Sequence, residues 1–374
     1  MYLGKIITLS IAIMFFATIN VLAAEETTVP PTEYQSREVI GTVDGVNIGD
    51  EGQVGLWVTG DDGGLYTVDT SISVPEGLQY RVAKGDRVIL QLVDNIDGTE
   101  TAYFSDIVRT RGLWWAFAIF AAVIVLVGLK RGVFALVGFV ATVGMLFWFM
   151  FPRILAGADP VLVAVIAGVA ILAINLFLSH GFTRNAMIAL ASTSIGVVLA
   201  WGIGSLFVSL AKLSGMATDE SVFLYWQIGT LHVPAGLLLA GIIIGTVGVL
   251  DDVAITQCET VAELKSANGA FTARELFVRA MRVGRHHIAS AVNTLVLAYA
   301  GASLPLFLIF LASSDVSLWR FLNTEIVAEE IVRTLGGTTA LVLIVPLATF
   351  VAALAWGRVG VESRAEFEDH EHDG

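Results

Sequence analysis

The sequence predicts a polytopic α-helical membrane protein with about seven transmembrane helices, an N-terminal signal or anchor, and a small extracytoplasmic all-β domain. Of its 374 residues, 56% are hydrophobic and only 15% are charged, and the mean hydropathy is +0.78. An ordinary globular domain is about 25% charged. The apolar residues form runs near the roughly 20 residues that a bilayer-spanning helix needs. The polar region before residue 112 instead alternates short β-type runs with turns. A soluble fold is therefore excluded for most of the chain.

The acidity of the chain lies outside its apolar region. The formal net charge is −13. Residues 25–112 carry 16 acidic and 6 basic side chains, residues 113–357 carry 12 of each, and residues 358–374 carry 6 and 2. No stretch offers the basic surface that nucleic-acid binding requires, so that class of partner is excluded. The single cysteine, Cys258, excludes an intramolecular disulfide.

Residues 1–24 are predicted to be a signal peptide or a signal anchor. An apolar run follows Lys5, ends in Val-Leu-Ala-Ala and precedes Glu25, which is typical of a secretory signal. The run is also long enough for an uncleaved anchor, so both alternatives stay open. Either one places the next segment outside the cytoplasm, and the Thr-, Pro- and Glu-rich residues 25–36 are predicted to be a linker.

Residues 37–111 are predicted to form an extracytoplasmic β domain of the OB-like or SH3-like kind. Turn pairs at 61–64 and 95–98 are hairpin signals between short β-type runs, and a small barrel or sandwich fits five such strands. The predicted strands are 38–46, 54–59, 65–68, 87–93 and 101–108. No catalytic constellation lies among them, so we expect an accessory domain that docks a protein partner or a solute.

Residues 113–356 are predicted to form the transmembrane helical domain in the lipid bilayer. The predicted spans are 113–129, 132–151, 160–178, 186–211, 233–257, 288–312 and 339–356. Aromatic residues collect at several ends of these spans, as interfacial belts do: Trp114, Trp115, Trp148, Tyr225, Trp226 and Trp356.

Basic residues in the connecting loops predict the orientation. With the β domain outside, ten lysines and arginines lie on the cytoplasmic side and four lie outside, as the positive-inside rule requires. The ten are Lys130, Arg131, Arg184, Lys265, Arg274, Arg279, Arg282, Arg285, Arg358 and Arg364. We therefore expect a multi-pass protein of the plasma membrane whose acidic tail, residues 357–374, is cytoplasmic.

Two amphipathic segments lie between predicted spans. Thr272 and Glu275 have the spacing of a capping box, and the helix that they open carries an apolar face of Leu276, Phe277, Ala280 and Met281. Its basic face comprises Arg279, Arg282, Arg285 and His286. Each basic residue near anionic lipid contributes about 1 kcal/mol, so we expect this helix at the inner membrane surface. Residues 316–334 are predicted to do the same on the outer side.

The pattern of most functional interest ends the span 233–257. Steps of three or four residues return to the same face of a helix, so Gly241, Gly245, Gly248 and Asp252 share one stripe. Small residues let a neighbouring helix approach closely. The stripe therefore predicts that the glycines pack against another helix and that Asp252 faces protein, with Asp251 about 100° around the helix.

Such a carboxylate is a candidate proton relay or cation site. An aspartate at the centre of a membrane helix costs roughly 2.5 to 3.5 kcal/mol, which protonation or a partner relieves. Two adjacent carboxylates, Asp251 and Asp252, also oppose each other's ionisation. Asn293 and Thr294 on the following span are candidate hydrogen-bond partners. The alternative is that the span stops at Leu250 and the aspartates mark the water line.

The sequence carries no signature of an enzyme, a cofactor or a metal site. It has no P-loop, no Gly-x-Ser-x-Gly, no zinc-protease His-Glu pair and no cysteine pair. Residues 369–373 hold histidines and carboxylates, but a flexible tail gives no fixed ligand geometry. We therefore expect a protein that is not an enzyme, and the sequence leaves a homo-oligomer open.

Residues 236–305 carry the strongest resemblance to a known family. The glycine-rich run into Val-Leu-Asp-Asp-Val-Ala-Ile-Thr-Gln, the segment 279–290 and the segment 293–305 resemble the YibE/F-like family of multi-pass bacterial membrane proteins. The similarity extends from about Arg37, since a β segment followed by such a bundle is that family's layout. The resemblance implies a fold and a location rather than a reaction.

The same region is similar, more weakly, to part of the resistance-nodulation-division permeases and the SecF-type translocation subunits. That resemblance implies a proton relay at Asp251 and Asp252, with Asn293 or Thr294 as partners. The sequence thus favours a proton- or cation-coupled transporter or translocation-assisting permease. The alternative is a non-transporting scaffold or assembly factor whose β domain docks a partner.

Overall fold

A computed structural model describes residues 36–48, 54–69, 82–95, 99–228, 233–312 and 317–357. The predicted signal or anchor, the linker up to residue 35 and the tail beyond Gly357 lie outside these residues. The chain divides into two units between Val127 and Gly128, and each unit is described separately below.

The N-terminal unit contains the five predicted strands, each within two residues of its predicted bounds. They are β1 (Ser36–Ile48), β2 (Val54–Gly60), β3 (Leu65–Asp69), β4 (Arg87–Asp94) and β5 (Glu100–Ile107). Alternation of apolar and polar residues explains them, because successive side chains of a strand point to opposite faces. Thus Val88, Leu90 and Leu92 of β4 are buried while their neighbours are more exposed.

The strands form one antiparallel sheet in the order β3-β2-β1-β4-β5. The edge strands β3 and β5 contact each other, so the sheet curls into a half-barrel around a core that includes Leu56, Val58 and Phe104. The predicted turn at 61–64 joins β2 to β3, and Gly63 has φ +83°, which favours glycine. The finer OB-like or SH3-like assignment stays a prediction.

The rest of the described chain is helical. The helices are α1 (Thr110–Gly144), α2 (Phe151–Leu155), α3 (Pro160–His180), α4 (Arg184–Leu210), α5 (Asp219–Ile228), α6 (Val233–Ala267), α7 (Ala273–Ala302), α8 (Leu304–Ala312), α9 (Leu318–Leu322) and α10 (Glu325–Gly357). A π-helical turn, Met145–Met150, connects α1 to α2.

These helices indicate a membrane protein. Within the described residues, five helical stretches are long and apolar enough to cross a membrane, or six if the bent pair α7–α8 is one span. One stretch, Thr110–Leu155, includes both predicted spans 113–129 and 132–151, and its backbone breaks at Leu129 with φ 50°. The count of seven therefore stays a prediction.

Three helices differ from the predicted spans. α6 does not end near Leu250 but continues to Ala267, because the backbone stays helical where the apolar run gives way to polar residues. α7 begins at its capping box and runs into the predicted span, then bends by 62° into α8. α10 begins at Glu325, well before the predicted start at residue 339.

α6 lies at the centre of the C-terminal unit and contacts α3, α4, α7 and α10. Its buried residues include Ile243, Val247, Leu250 and Ala254, and they belong to one cluster with buried residues of the surrounding helices. Residues 251 and 252 therefore lie on the central helix of the bundle.

Candidate functional site

The predicted packing of the glycine stripe is wrong at two of its three positions. A Cβ atom added to Gly241 or Gly248 would have no atom within 4 Å in the described structure, and both glycines are exposed. At Gly245 the added Cβ would lie 2.7 Å from the hydroxyl of Tyr299. The larger aliphatic side chains occupy the packed face of α6, where they make more van der Waals contacts with the neighbouring helices than glycine can.

Asp252 therefore does not face a packed helix, and the prediction that it does is wrong. Its side chain is exposed, whereas Asp251 is half-buried. Asp251 Oδ1 accepts a hydrogen bond from the backbone N of Asp252 at 2.9 Å. Because one residue turns a helix by about 100°, the two neighbours meet different surroundings, and Asp251 is the inward carboxylate.

Asp251 lies on the side of α6 that faces α3. One turn earlier, a Cγ atom of Val247 lies 2.8 Å from a Cβ added to Gly168 of α3. Two turns later, Glu259 Oε1 lies 4.0 Å from Nε2 of His180, and His180 is also within electrostatic range of Asp251. α6 and α3 thus bring two carboxylates and one histidine to the same side of the bundle.

A polar cavity of about 660 Å³ opens at this end of the bundle. Its walls include Arg131, Ser179, His180, Thr183, Asn185 and Glu259. The histidine–glutamate pair therefore connects the cavity with the helix that carries Asp251. Of these residues, only Arg131 was predicted from the sequence to matter, and only for its charge. The polar residues Ser179 and His180, at the end of α3 and close to the start of the next helix, are the pattern that could have indicated the cavity.

The structure does not bring Asn293 or Thr294 to the aspartates. Both side chains are exposed on α7, and the hydroxyl of Thr294 donates to the backbone O of Ser290 at 3.0 Å. The buried side of α7 instead includes Leu276, Ala280, Gly284 and Leu295. The two predicted partners miss Asp252 because they lie outside this buried stripe.

The predicted capping box and basic face of α7 are both present. Thr272 and Glu275 exchange the two capping hydrogen bonds, while Leu276 and Ala280 are buried as expected. The four basic residues Arg279, Arg282, Arg285 and His286 are exposed. No membrane surface is part of the structure, so the interfacial position of this helix stays a prediction.

A buried amide lies where α6, α7 and α10 cross. Gln257 is fully buried, and its Oε1 lies 2.9 Å from the hydroxyl of Thr349. That hydroxyl also lies 2.6 Å from the backbone O of Val345, and one proton serves only one of the two acceptors. A Cβ added to Gly284 would lie 3.0 Å from the same Oε1. The absence of a side chain at Gly284 therefore leaves room for the amide of Gln257.

A second polar cluster, which the sequence analysis missed, lies near the start of α10. Glu330 accepts from the hydroxyl of Ser303 at 3.1 Å and pairs with Arg333 Nη1 at 3.2 Å. Glu329, beside them, is 7% exposed. The sequence placed these residues on an outer amphipathic segment, and only the length of α10 shows that they continue a long apolar helix. We call this group the Glu325-end cluster; it comprises Ser303, Glu325, Glu329, Glu330 and Arg333.

An aliphatic layer separates the Glu325-end cluster from Asp251. Leu250, Ile344 and Val197 are all fully buried in it. A Cβ added to Gly196 of α4 would lie 2.8 Å from Ile344 Cδ1 and 3.3 Å from Leu250 Cδ1, so the three helices meet closely there. Arg333 and Ile344 are eleven residues apart, which is about 16 Å along a helix.

The β domain carries a charged surface rather than a catalytic arrangement. Arg37 Nε lies 2.9 Å from Glu100 Oε1, and Tyr66 donates to Asp62 Oδ2 at 2.7 Å. The hydrogen bonds from Tyr66 and from the backbone N of Gly64 lower the pKa of Asp62 below its ordinary value, since they favour the ionised form. These exposed groups offer a polar surface for a partner but no nucleophile with a base.

Searches of the curated proteins and of the solved structures found no match to the chain. A sequence profile described as YibE/F-like protein matches residues 116–358. The matched region includes the whole of α3 to α10, and with them Asp251, His180, Glu259 and the Glu325-end cluster. Because it covers more than half of the chain, the protein belongs to the YibE/F-like family.

Proposed function

We propose that this protein is a proton- or cation-coupled transporter, or a permease that assists translocation, in which Asp251 carries the coupling ion. The observation that supports this most strongly is the half-buried carboxylate on the central helix α6, on the side where Glu259 lies 4.0 Å from His180. A carboxylate inside a membrane bundle is costly to keep charged without a partner, and such residues commonly mark ion pathways.

The neighbouring groups are suited to moving a proton. An imidazole can accept a proton at one ring nitrogen and donate one from the other. His180 borders both the polar cavity and the electrostatic environment of Asp251. A proton or cation that enters the cavity meets Glu259 and His180 first, and Asp251 lies two helical turns further along α6. The substrate of the coupled movement is a solute or chain of unspecified class.

The orientation of this pathway follows from the distribution of basic residues. The positive-inside rule places the β domain outside the plasma membrane and the C-terminus in the cytoplasm. His180, Glu259 and Arg131 then lie toward the cytoplasm, and the Glu325-end cluster lies toward the outside. In this orientation the polar cavity is the cytoplasmic mouth.

The adjacent aspartates provide a matched test. We expect Asp251→Asn to abolish coupled flux and Asp252→Asn to leave most of it, because only Asp251 is half-buried. Each variant is purified, reconstituted in liposomes and compared with the wild type for proton flux driven by an imposed pH gradient and potential. Equal folding is checked by the thermal unfolding of each protein.

Two outcomes would contradict the proposal. If both variants match the wild type in a preparation that carries flux, Asp251 is not the relay. If the wild type carries no flux and instead brings down a stoichiometric partner that is lost when residues 37–111 are removed, the scaffold alternative is favoured.

A further inference from the structure

Glu329 is a buried carboxyl group with an unpartnered oxygen. It is 7% exposed, and its Oε1 has no hydrogen-bond partner in the described part of the chain. The two other glutamates of the cluster are engaged: Glu325 accepts from the backbone N atoms of Ser214 and Gly215, and Glu330 is held by Ser303 and Arg333. The carboxyl group of Glu329 also has a backbone hydrogen bond with Ala217, so ionisation would leave one of its two oxygens desolvated without a partner.

The guanidinium of Arg333 lies within reach of two glutamates, Glu329 and Glu330. Its Nη1 pairs with Glu330, three residues before it, at 3.2 Å, while its Nε is buried without a partner among the described residues. Residues three and four apart on a helix are neighbours, so Glu329 is also within reach of the same guanidinium. The cluster thus contains one cation, two candidate carboxylates, and an unpartnered atom on both Arg333 and Glu329.

The other charged groups around the cluster are few. The charged partners of Glu329 are Glu325, Glu330 and Arg333, all on α10, and its carboxyl group also has a hydrogen bond with the backbone of Ala217, between α4 and α5. From α7, the Tyr299 hydroxyl faces Arg333 and Glu330. Lys212 lies in the connection from α4 to α5, whose backbone holds Glu325. Asp219 and Glu220 begin α5, and all three side chains are exposed.

We propose that Glu329 is a second proton-binding site, and that its proton controls which glutamate Arg333 pairs with. When Glu329 is protonated it is neutral, and Arg333 pairs with Glu330 as in the structure. When Glu329 releases its proton to water, the new carboxylate draws Arg333 away from Glu330. The released proton is the only species lost, and no covalent bond other than O–H changes.

The ligand is a proton rather than a metal ion because too few oxygen atoms are free. Ca²⁺ takes six to eight oxygen ligands, and Mg²⁺ takes an octahedral set of six. Here Glu325 and Glu330 are already engaged, and the described residues contain no group of three or more histidine, cysteine or carboxylate side chains placed to hold a metal. A single free carboxylate oxygen beside a guanidinium can bind a proton, but it does not complete the coordination of a metal ion.

Carbodiimide labelling tests the site without any transport assay. Dicyclohexylcarbodiimide is an apolar reagent that modifies protonated carboxyl groups, and fragment ions in mass spectrometry assign the label to single residues. In full-length protein in nanodiscs we expect label on Glu329 that declines as pH rises, and loss of that label in Glu329→Gln. The exposed Glu220 is the control that stays unlabelled.

The arginine exchange has its own signature. In Glu330→Gln, Arg333 is free to pair with ionised Glu329, so the labelling curve of Glu329 should move to lower pH by about one unit, the size expected of an opposite charge at close range. In the Arg333→Gln background, the same Glu330→Gln change removes only the repulsion between the two glutamates, so the curve should move by less.

Absence of label on Glu329, or label that does not vary with pH across the range in which the protein stays folded, overturns the proton site. Equal shifts in both backgrounds overturn the arginine exchange. The wild-type experiment needs no variant to fold, and its result is independent of Asp251, so failure of this site and failure of the transport proposal are distinguishable.

Discussion

Gly284 occupies a helix crossing with no room for a side chain. A Cβ there would lie 2.6 Å from Val345 Cγ1 and 3.0 Å from Gln257 Oε1. Gly248 on α6 is a matched control, since its Cβ would meet nothing within 4 Å. The two glycines therefore separate the effect of packing from the effect of helix propensity.

We expect Gly284→Ala to lower the free energy of unfolding by about 1–3 kcal/mol, the usual cost of overpacking. Gly248→Ala should be neutral or raise it by up to about 1 kcal/mol, because alanine favours a helix over glycine. Thermal unfolding of both variants in the same detergent measures the difference. A Gly284→Ala protein as stable as Gly248→Ala would show that α7 and α10 separate easily at this crossing.

Residue by residue, the sequence predicted which side chains share a helix face but not which face is inward. Spacing placed Gly241, Gly248 and Asp252 together, and the structure keeps them together on the exposed side. Periodicity is a property of one helix, whereas the choice of face depends on all neighbours. That is why Asp251 replaced Asp252 as the inward carboxylate.

At the scale of elements, the start of α4 is joined to the end of α10. Arg184 donates to the backbone O of Ala355 at 2.8 Å, and its guanidinium lies 4.8 Å from the ring centroid of Trp356. Trp356 Nε1 donates to Asn185 Oδ1 at 3.0 Å. A cation also favours a helix C-terminus, where backbone carbonyls lack partners.

Arg184→Ala should therefore weaken the pairing of α4 with α10. We expect a loss of about 1–2 kcal/mol, from one charged hydrogen bond and one exposed cation–π contact. Arg274→Ala, at another exposed arginine, is the control. Hydrogen exchange at the last turn of α10 should rise in the first variant only, and equal exchange in both would remove the proposed role of the contact.

The bounds of elements were predictable where the pattern itself ends. All five strands were predicted, because alternation stops at the turns. The prediction for α6 stopped ten residues early, since Glu259, Glu263 and Lys265 end the apolar run without ending the helical backbone. Hydropathy reports the surroundings of a helix, whereas its length depends on backbone hydrogen bonds and capping.

At the scale of the whole molecule, orientation is the prediction that most needs measurement. The only cysteine, Cys258, is fully buried, so cysteines introduced at exposed positions can be labelled selectively. Glu38 on β1 and Arg282 on α7 are both exposed. We expect an impermeant maleimide to label Glu38→Cys in right-side-out vesicles and Arg282→Cys in inside-out vesicles.

The opposite pattern would reverse the topology, so that the polar cavity would open toward the outside of the cell. Labelling of both positions from the same side would require an odd number of crossings to be removed or added between them. The wild-type protein, whose one thiol is buried, serves as the unlabelled control in both kinds of vesicle.

The aliphatic layer of Leu250, Ile344 and Val197 has a consequence for how readily protons leak across the membrane. The three side chains have no hydrogen-bond donor or acceptor, so they form an apolar barrier where these helices meet in the described part of the bundle. We therefore expect proton flux through the wild-type protein to be slow compared with that of an open channel, because protons pass the layer only when the helices move. An ion then crosses the layer only when the helices separate. This movement of the helices can be coupled to transport of the substrate.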